Sequence, residues 1–195
     1  MTETLRPIIF ARYPHSGQCK TRLIPALGPD GAAALHRRLV ERTLSRLAPL
    51  SPLVAYTGAS EDKFRVWLGA HVELVPQPAG DLGDRLIAAA REGPALIIGS
   101  DIPDIDASSV AAAGRLLVEA DLVLGPAEDG GFWLIGMKVA EPRLFADVAW
   151  GTERVFAQVC RNAQTLGYSV GNAVTRADLD RPEDLGRWPD LLPPR

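Results

Sequence analysis

Along the chain, short apolar runs rich in Ile, Val and Leu alternate with longer stretches in which apolar positions recur every three or four residues. Runs of the first kind read as strands buried on both faces. Their alternation with helical stretches predicts a mostly parallel sheet covered by helices, a doubly wound α/β arrangement. Strands are expected at residues 7–12, 53–57, 72–76, 95–100, 122–125, 132–137 and 168–174. Helices are expected at 30–47, 61–68, 82–91, 107–119 and 152–166, separated by Gly, Pro, Asp or Ser. In the first helix Ala33, Leu35, Leu39, Val40, Leu44 and Leu47 fall near one face. Arg37, Arg38, Glu41 and Arg42 fall largely on the other, and Asp30 is the expected N-cap. No repeat or low-complexity linker interrupts this pattern. The Pro-rich stretch from Trp188 to Arg195 is expected to pack in part and fray beyond.

Composition narrows the picture. A chain of 195 residues, 47% hydrophobic, can bury one substantial core and is short for two, so a single domain over 1–195 is expected. Twenty-one Lys and Arg against 24 Asp and Glu give a formal charge of −3, without the basic excess that binding to a nucleic-acid polymer requires. Cys19 and Cys160 stand far apart with no Cys-x-x-Cys or nearby His, which argues against a disulfide framework or a zinc site and for a reducing, cytoplasmic setting. The start, Met1 to Pro7, lacks the plan of a secretory signal. The longest apolar runs are strand-sized, against the roughly 20 residues that span a bilayer, so no membrane partner is expected. A homodimer through an exposed apolar helix face is the default assembly.

Four segments carry candidate chemistry. After the first strand, Ala11-Arg12-Tyr13-Pro14-His15-Ser16-Gly17-Gln18-Cys19-Lys20-Thr21-Arg22-Leu23 is a Gly-containing loop ending in two cations that bracket a hydroxyl. At the carboxyl end of a strand such a loop suits phosphate, with Lys20 a point charge and Arg22 a planar fork. It is not a Walker A loop, because Cys19 stands where that motif needs Gly and its four-residue spacer is missing. A surface turn with solvated charges is the alternative. Second, Ala95-Leu96-Ile97-Ile98-Gly99-Ser100-Asp101-Ile102-Pro103-Asp104 delivers a carboxylate just past a buried strand. Mg²⁺ and Mn²⁺ take oxygen donors, so Asp101 suits a metal ligand, with an N-cap or Asx turn as the alternative. Asp104 assists or caps.

Third, Gly125-Pro126-Ala127-Glu128-Asp129-Gly130-Gly131-Phe132 places two carboxylates in a Gly-flanked turn. It reads either as a plain hairpin turn or as a pair of acids that holds sugar hydroxyls or a reacting proton. Fourth, in Asp178-Leu179-Asp180-Arg181-Pro182-Glu183-Asp184-Leu185, Asp180 precedes a Pro-initiated helix and reads on its own as a cap. Ser100 lacks the Gly-x-Ser-x-Gly setting of a nucleophile, and His15, His36 and His71 have no evident partner acid in the sequence.

Taken in order, Phe10-Ala11-Arg12-x-Pro14 with Gly17-x-x-Lys20-Thr21-Arg22-Leu23, then Gln77-x-x-Gly80-Asp81-Leu82-Gly83-x-Arg85-Leu86, Gly99-Ser100-Asp101-x-Pro103-Asp104, Gly125 to Gly136 and Asp178-Leu179-Asp180-x-Pro182-Glu183-Asp184-Leu185 resemble the GT-A-like transferases assigned to arsenosugar biosynthesis as glycosyltransferases. More distantly they are similar to 2-phospholactate guanylyltransferase and sugar nucleotidyltransferases. The resemblance spans nearly the whole chain. It implies a GT-A, nucleotide-diphospho-sugar transferase-like α/β sandwich around a mostly parallel mixed sheet.

The same resemblance implies a nucleotide site of Ala11, Arg12, Gly17, Lys20, Thr21, Arg22, Gln77, Leu82, Gly83, Arg85 and Ser100. It implies Mg²⁺ or Mn²⁺ on Asp101 with Asp180, although Arg181 stands where the nucleotidyltransferases have Thr. The expected activity is glycosyl transfer from a nucleotide-sugar to a small-molecule acceptor. Asp101 and Lys20 act on the leaving diphosphate, and Glu128 or Asp129 acts on the acceptor. Nucleotidyl transfer from a triphosphate to a phosphorylated small molecule uses the same loop and stays open, as does a non-catalytic nucleotide-binding role.

Overall fold

The computed structural model describes residues 5–192. The expectations for Met1 to Thr4 and for the last three residues, Pro193, Pro194 and Arg195, lie outside the described residues. The strands are β1 (Pro7–Arg12), β2 (Leu53–Thr57), β3 (Leu74–Pro76), β4 (Ala95–Ile98), β5 (Leu122–Pro126), β6 (Phe132–Met137) and β7 (Val170–Asn172). They form one seven-stranded sheet in the order β3-β2-β1-β4-β6-β5-β7. β6 runs antiparallel to β4 and β5, and every other pairing is parallel. The mixed, mostly parallel α/β arrangement is therefore the one expected.

The helices are α1 (Ile24–Leu47), α2 (Glu61–Leu68), α3 (Leu82–Ala89), α4 (Ala107–Glu119) and α5 (Val155–Thr165). One face of the sheet, with Ile9, Leu96, Ile98 and Trp133, packs on Val40, Phe64, Val110 and Leu117 from α1, α2 and α4. The other, with Ile97, Leu124, Ile135 and Met137, packs on Leu86 and Val159 from α3 and α5. Among the described residues no helix is long and apolar enough to cross a membrane.

Several boundaries differ from expectation for identifiable reasons. The first helix begins at Ile24, and Gly28 (φ 69°, ψ 168°) interrupts it before Pro29. Asp30 is thus an exposed residue beyond that break and caps nothing. β3 starts late because the Val72 N–H bonds to the Gly69 carbonyl (3.4 Å) in the turn after α2. β7 starts late because Tyr168 closes the end of α5 on the Ala163 carbonyl (2.9 Å). The Pro-initiated helix is a 3₁₀ segment, Pro182–Arg187, followed by a second, Pro189–Leu191.

These last segments explain the polar side of α1. Leu179, Trp188 and Leu191 form a third apolar cluster with Leu23, Leu35 and Leu39. Arg38 donates to the Leu191 carbonyl (3.0 Å), and Arg42 to the Pro103 carbonyl (2.9 Å) and to Asp190 (2.7 Å). The helix face expected to meet water instead ties down the C-terminal stretch.

Candidate functional site

In the order β3-β2-β1-β4 the chain moves outward from β1 and then returns to its other side, so the strand order reverses between β1 and β4. Open α/β sheets bind ligands outside the carboxyl ends of the strands at such a point. The loop after β1 is folded by its own backbone. Tyr13 N–H donates to the Thr57 carbonyl (2.9 Å) and Gln18 N–H to that of His15 (3.1 Å). Gly17 turns with φ 74°. Lys20 itself is left-handed (φ 48°, ψ 45°), an uncommon state for a residue with a side chain, and its carbonyl accepts from Leu23 N–H at 2.8 Å.

That backbone turn sends the Lys20 side chain inward, where it is 3% exposed. Its Nζ lies 2.8 Å from Asp101 Oδ1 and 3.5 Å from Asp180 Oδ1. Arg22 reaches the same Asp180 through Oδ2 at 2.6 Å. Burial acts to lower the Lys20 pKa, but Asp101 and then Asp180 outweigh it and hold the ammonium above the ordinary lysine value. For Asp101, desolvation by the surrounding protein acts upward and Lys20 and His36 act downward, leaving the carboxylate below its ordinary range. Asp180 caps nothing through its side chain. The 3₁₀ segment is capped by Asp184, which accepts from the backbone N–H groups of Asp180 (3.1 Å) and Arg181 (2.7 Å).

A cavity of about 330 Å³ opens here, lined by Ala11, Arg12, Lys20, Gln77, Leu82, Arg85, Ser100, Asp101 and Asp180. Gln77 is oriented by its Nε2 donating to the Ala55 carbonyl at 2.7 Å, which leaves Oε1 as an acceptor. Arg85 has no acid partner among the described residues, and its buried Nε has no hydrogen-bond partner. Four of the nucleotide-site residues expected from the sequence do not line the cavity. Gly17 and Thr21 are exposed in the loop, and Arg22 acts through Asp180. Gly83 is buried in the first turn of α3, where a Cβ would stand 2.9 Å from that of Phe145, so its small size serves helix packing.

A smaller cavity of about 160 Å³ shares Gly99, Asp101 and Asp180 with the first and adds Asp129, Asp178, Phe132 and Trp133. Its lining contains no Lys or Arg. Asp129 is set by accepting from Gly131 N–H at 2.8 Å. Gly130 (φ 86°) lies against the Glu153 carbonyl, and its own carbonyl accepts from Phe156 N–H at 3.0 Å. The two acids of this turn part company, because Glu128 points outward to Arg187 (2.8 Å) and lines neither cavity. Asp104 likewise faces away, accepting from Trp188 Nε1 at 2.8 Å.

Two residues join the site that sequence reasoning did not assign to it. Asp178 lines the smaller cavity, and burial followed by the Asp129 charge raises its pKa. The signal was its spacing: with Leu179 buried between them in extended chain, Asp178 and Asp180 share a side. His36 lines the larger cavity with Nε2 3.0 Å from the Arg12 carbonyl, and burial lowers its pKa. It sits three and four residues from Ala33, Leu39 and Val40, within the buried stripe. His15 bonds the Gly58 carbonyl (3.0 Å) and lines neither cavity.

Among the described residues no group of three or more His, Cys, Asp or Glu side chains converges to hold a metal. The pair Asp101 and Asp180, already bridged by one ammonium, fits Mg²⁺ or Mn²⁺ of the kind completed by phosphate oxygens and water.

No curated protein matches the sequence significantly. Among solved structures, a provisionally assigned nucleotide-diphospho-sugar transferase from Desulfovibrio desulfuricans G20 is 30% identical over 92% of this chain and 84% of that one, with a TM-score of 0.84. A cytidylyltransferase from Leptospira borgpetersenii (16% identity, 93% and 83% covered, TM-score 0.61) and the inositol-1-phosphate CTP transferase from T. maritima (13%, 98% and 96%, 0.61) share the fold. Residues 40–152, more than half of the chain, match the family described as uncharacterized proteins conserved in bacteria (DUF2064), and the chain belongs to that family.

Proposed function

We propose that this protein is a nucleotide-dependent transferase that moves a glycosyl group from a nucleotide-diphospho-sugar to a small hydroxyl-bearing acceptor. The observation that carries the reading is the larger cavity between β1 and β4, which gathers Arg12, Lys20 and Arg85 around Asp101 and Asp180. The likeness to the Desulfovibrio structure supports the donor class.

In this reading Lys20, Arg12 and Arg85 take up the negative charge that grows on the leaving diphosphate as its bond to the anomeric carbon breaks. Gln77 and Leu82 border the nucleoside. A divalent ion on Asp101 with Asp180 would supply further neutralisation of the diphosphate. Asp129 orients the acceptor hydroxyl and takes its proton as the new bond to the anomeric carbon forms. The second cavity favours glycosyl transfer, since beyond Asp101 and Asp180, whose charges Lys20 and Arg22 balance, it adds the acids Asp129 and Asp178 and no cation, which disfavours a phosphorylated acceptor and accommodates a neutral polyol. An arsenosugar precursor belongs among the acceptors tested on the strength of the sequence resemblance alone.

Nucleotidyl transfer is the second reading, favoured by the three cations around the larger cavity, which suit a triphosphate. Thermal-shift titration with nucleoside triphosphates, nucleoside diphosphates and sugar nucleotides, with and without Mg²⁺ or Mn²⁺, identifies the donor, because a ligand of the native state raises its Tm. Release of nucleoside diphosphate from a sugar nucleotide supports glycosyl transfer. Release of pyrophosphate from a triphosphate replaces it with the second reading.

A further inference from the structure

Lys20 occupies an unusual place for a phosphate-binding lysine. Its ammonium is withdrawn from solvent and bonded to Asp101 and Asp180, the two carboxylates that the proposed function gives to a divalent ion. With Arg22 on the second of these acids, the cluster of two cations and two anions sums to zero charge without any ligand. A left-handed backbone fixes where the Lys20 stem starts, so any relocation of the ammonium is a rotation of the side chain. Within the same cavity, Arg12 and Arg85 face the space where phosphates would lie.

Resting on the nucleotide reading, we infer that Lys20 is a built-in counter-cation that keeps divalent metal off Asp101 and Asp180 until a nucleotide diphosphate arrives. A metal ion entering alone would have to displace the ammonium from both of its carboxylates and would leave it buried beside two added positive charges. With a diphosphate present, the ammonium exchanges carboxylate oxygens for phosphate oxygens, and the freed carboxylates take the metal. Metal and nucleotide therefore enter together, and the ligand-free protein ignores the free Mg²⁺ around it. The same side chain serves first as a substitute for the metal and then as its companion on the leaving group.

The test is a titration of the nucleotide-free full chain with Mn²⁺ alone, reading free Mn²⁺ by electron paramagnetic resonance. Lys20→Met is expected to bind one Mn²⁺ at least tenfold more tightly than wild type, and Lys20→Gln, which keeps a polar stem, serves as an independent second variant. Adding Asp101→Asn to either background is expected to abolish the gain, and Lys20→Arg to leave the wild-type affinity unchanged. Equal Mn²⁺ affinity in wild type and both neutral variants overturns the inference, as does a gain that survives Asp101→Asn. These results are separate from the fate of the function: absence of any nucleotide-induced rise in wild-type Tm overturns the nucleotide reading, whereas failure of the Mn²⁺ comparison leaves it standing.

Discussion

The backbone N–H of Leu179 donates to the carbonyl oxygen of Asp101 at 3.0 Å. This bond fastens the chain after β7 to the end of β4, and the Leu179 side chain, fully buried with Leu23, Leu35 and Leu39, anchors it from below. Asp178 and Asp180 flank that anchor and meet Asp101 across the smaller cavity.

Leu179→Ala is therefore expected to damage stability and site together. Removing a fully buried Leu costs about 2–5 kcal/mol, which equilibrium denaturation would measure. Because the anchor sets Asp180, donor turnover is expected to fall more than the unfolded fraction alone explains. Loss of stability with full specific activity in the folded remainder would show that the anchor does not position the acids.

The parting of Glu128 and Asp129 gives a clean comparison. Asp129→Asn removes the carboxylate facing the acceptor cavity and is expected to lower kcat by about 10²-fold or more, the usual scale for a general base, with little change in donor KM. Glu128→Gln breaks only an exposed pair with Arg187 and is expected to leave kcat within about twofold, since such pairs contribute little. Steady-state kinetics on both variants checks this, and equal losses would return Glu128 to the site.

Asp178 carries a pH signature whose sign follows from its raised pKa, caused first by burial and then by Asp129. A carboxyl that holds its proton more tightly when folded favours the folded chain in acid and disfavours it once both states have ionised. Asp178→Asn is thus expected to raise Tm near neutral pH, with the gain shrinking as pH falls from the raised value towards the ordinary carboxylate value and absent below it. A gain that persists undiminished in strong acid would assign the effect to packing.

Gly130→Ala tests the turn that presents Asp129. At φ 86° a side chain is strained, and the new Cβ would fall 2.1 Å from the Glu153 carbonyl oxygen, which is fixed backbone. Overpacking of this kind costs about 1–3 kcal/mol, and the displaced turn is expected to lower kcat as well. Chemical denaturation and kinetics on the same preparation read both effects.

The sequence pattern located β1, β2, β6, α2 and α4 to the residue, the strands from their apolar runs and the helices from the Ser60, Gly69 and Asp106 that flank them. It misjudged elements whose apolar ends are claimed by turns. Val72 and Tyr168 are apolar enough for a strand, yet their N–H groups bond within the preceding helix turn. The turn at Ile24 was hidden by Gly28 and Pro29, where the helical backbone is interrupted, so the residues before them did not read as helix. At the site, the order of motifs pointed to Lys20, Asp101 and Asp180, which the fold brings into one cluster. Glu128 and Asp129 were inseparable in sequence, since their difference is set by Arg187, 59 residues beyond Glu128. His36 looked partnerless because its partner is a backbone carbonyl, which no side-chain motif can announce.

The site joins cations from early in the sequence to acids from its middle and later parts, and this bears on how the protein is made. Translation delivers Lys20 and Arg22 well before Asp101, and Asp101 well before Asp180. Domains generally fold as units, and until Asp180 has been made Arg22 lacks its acid and Lys20 has at most one of two. Chains released prematurely, or clipped by a protease after β6, would lack the Asp178-Leu179-Asp180 stretch and the buried Leu179 anchor with it. Synthesis past Asp180 is then the event that completes the proposed centre, and products that stop short of it are silent by construction.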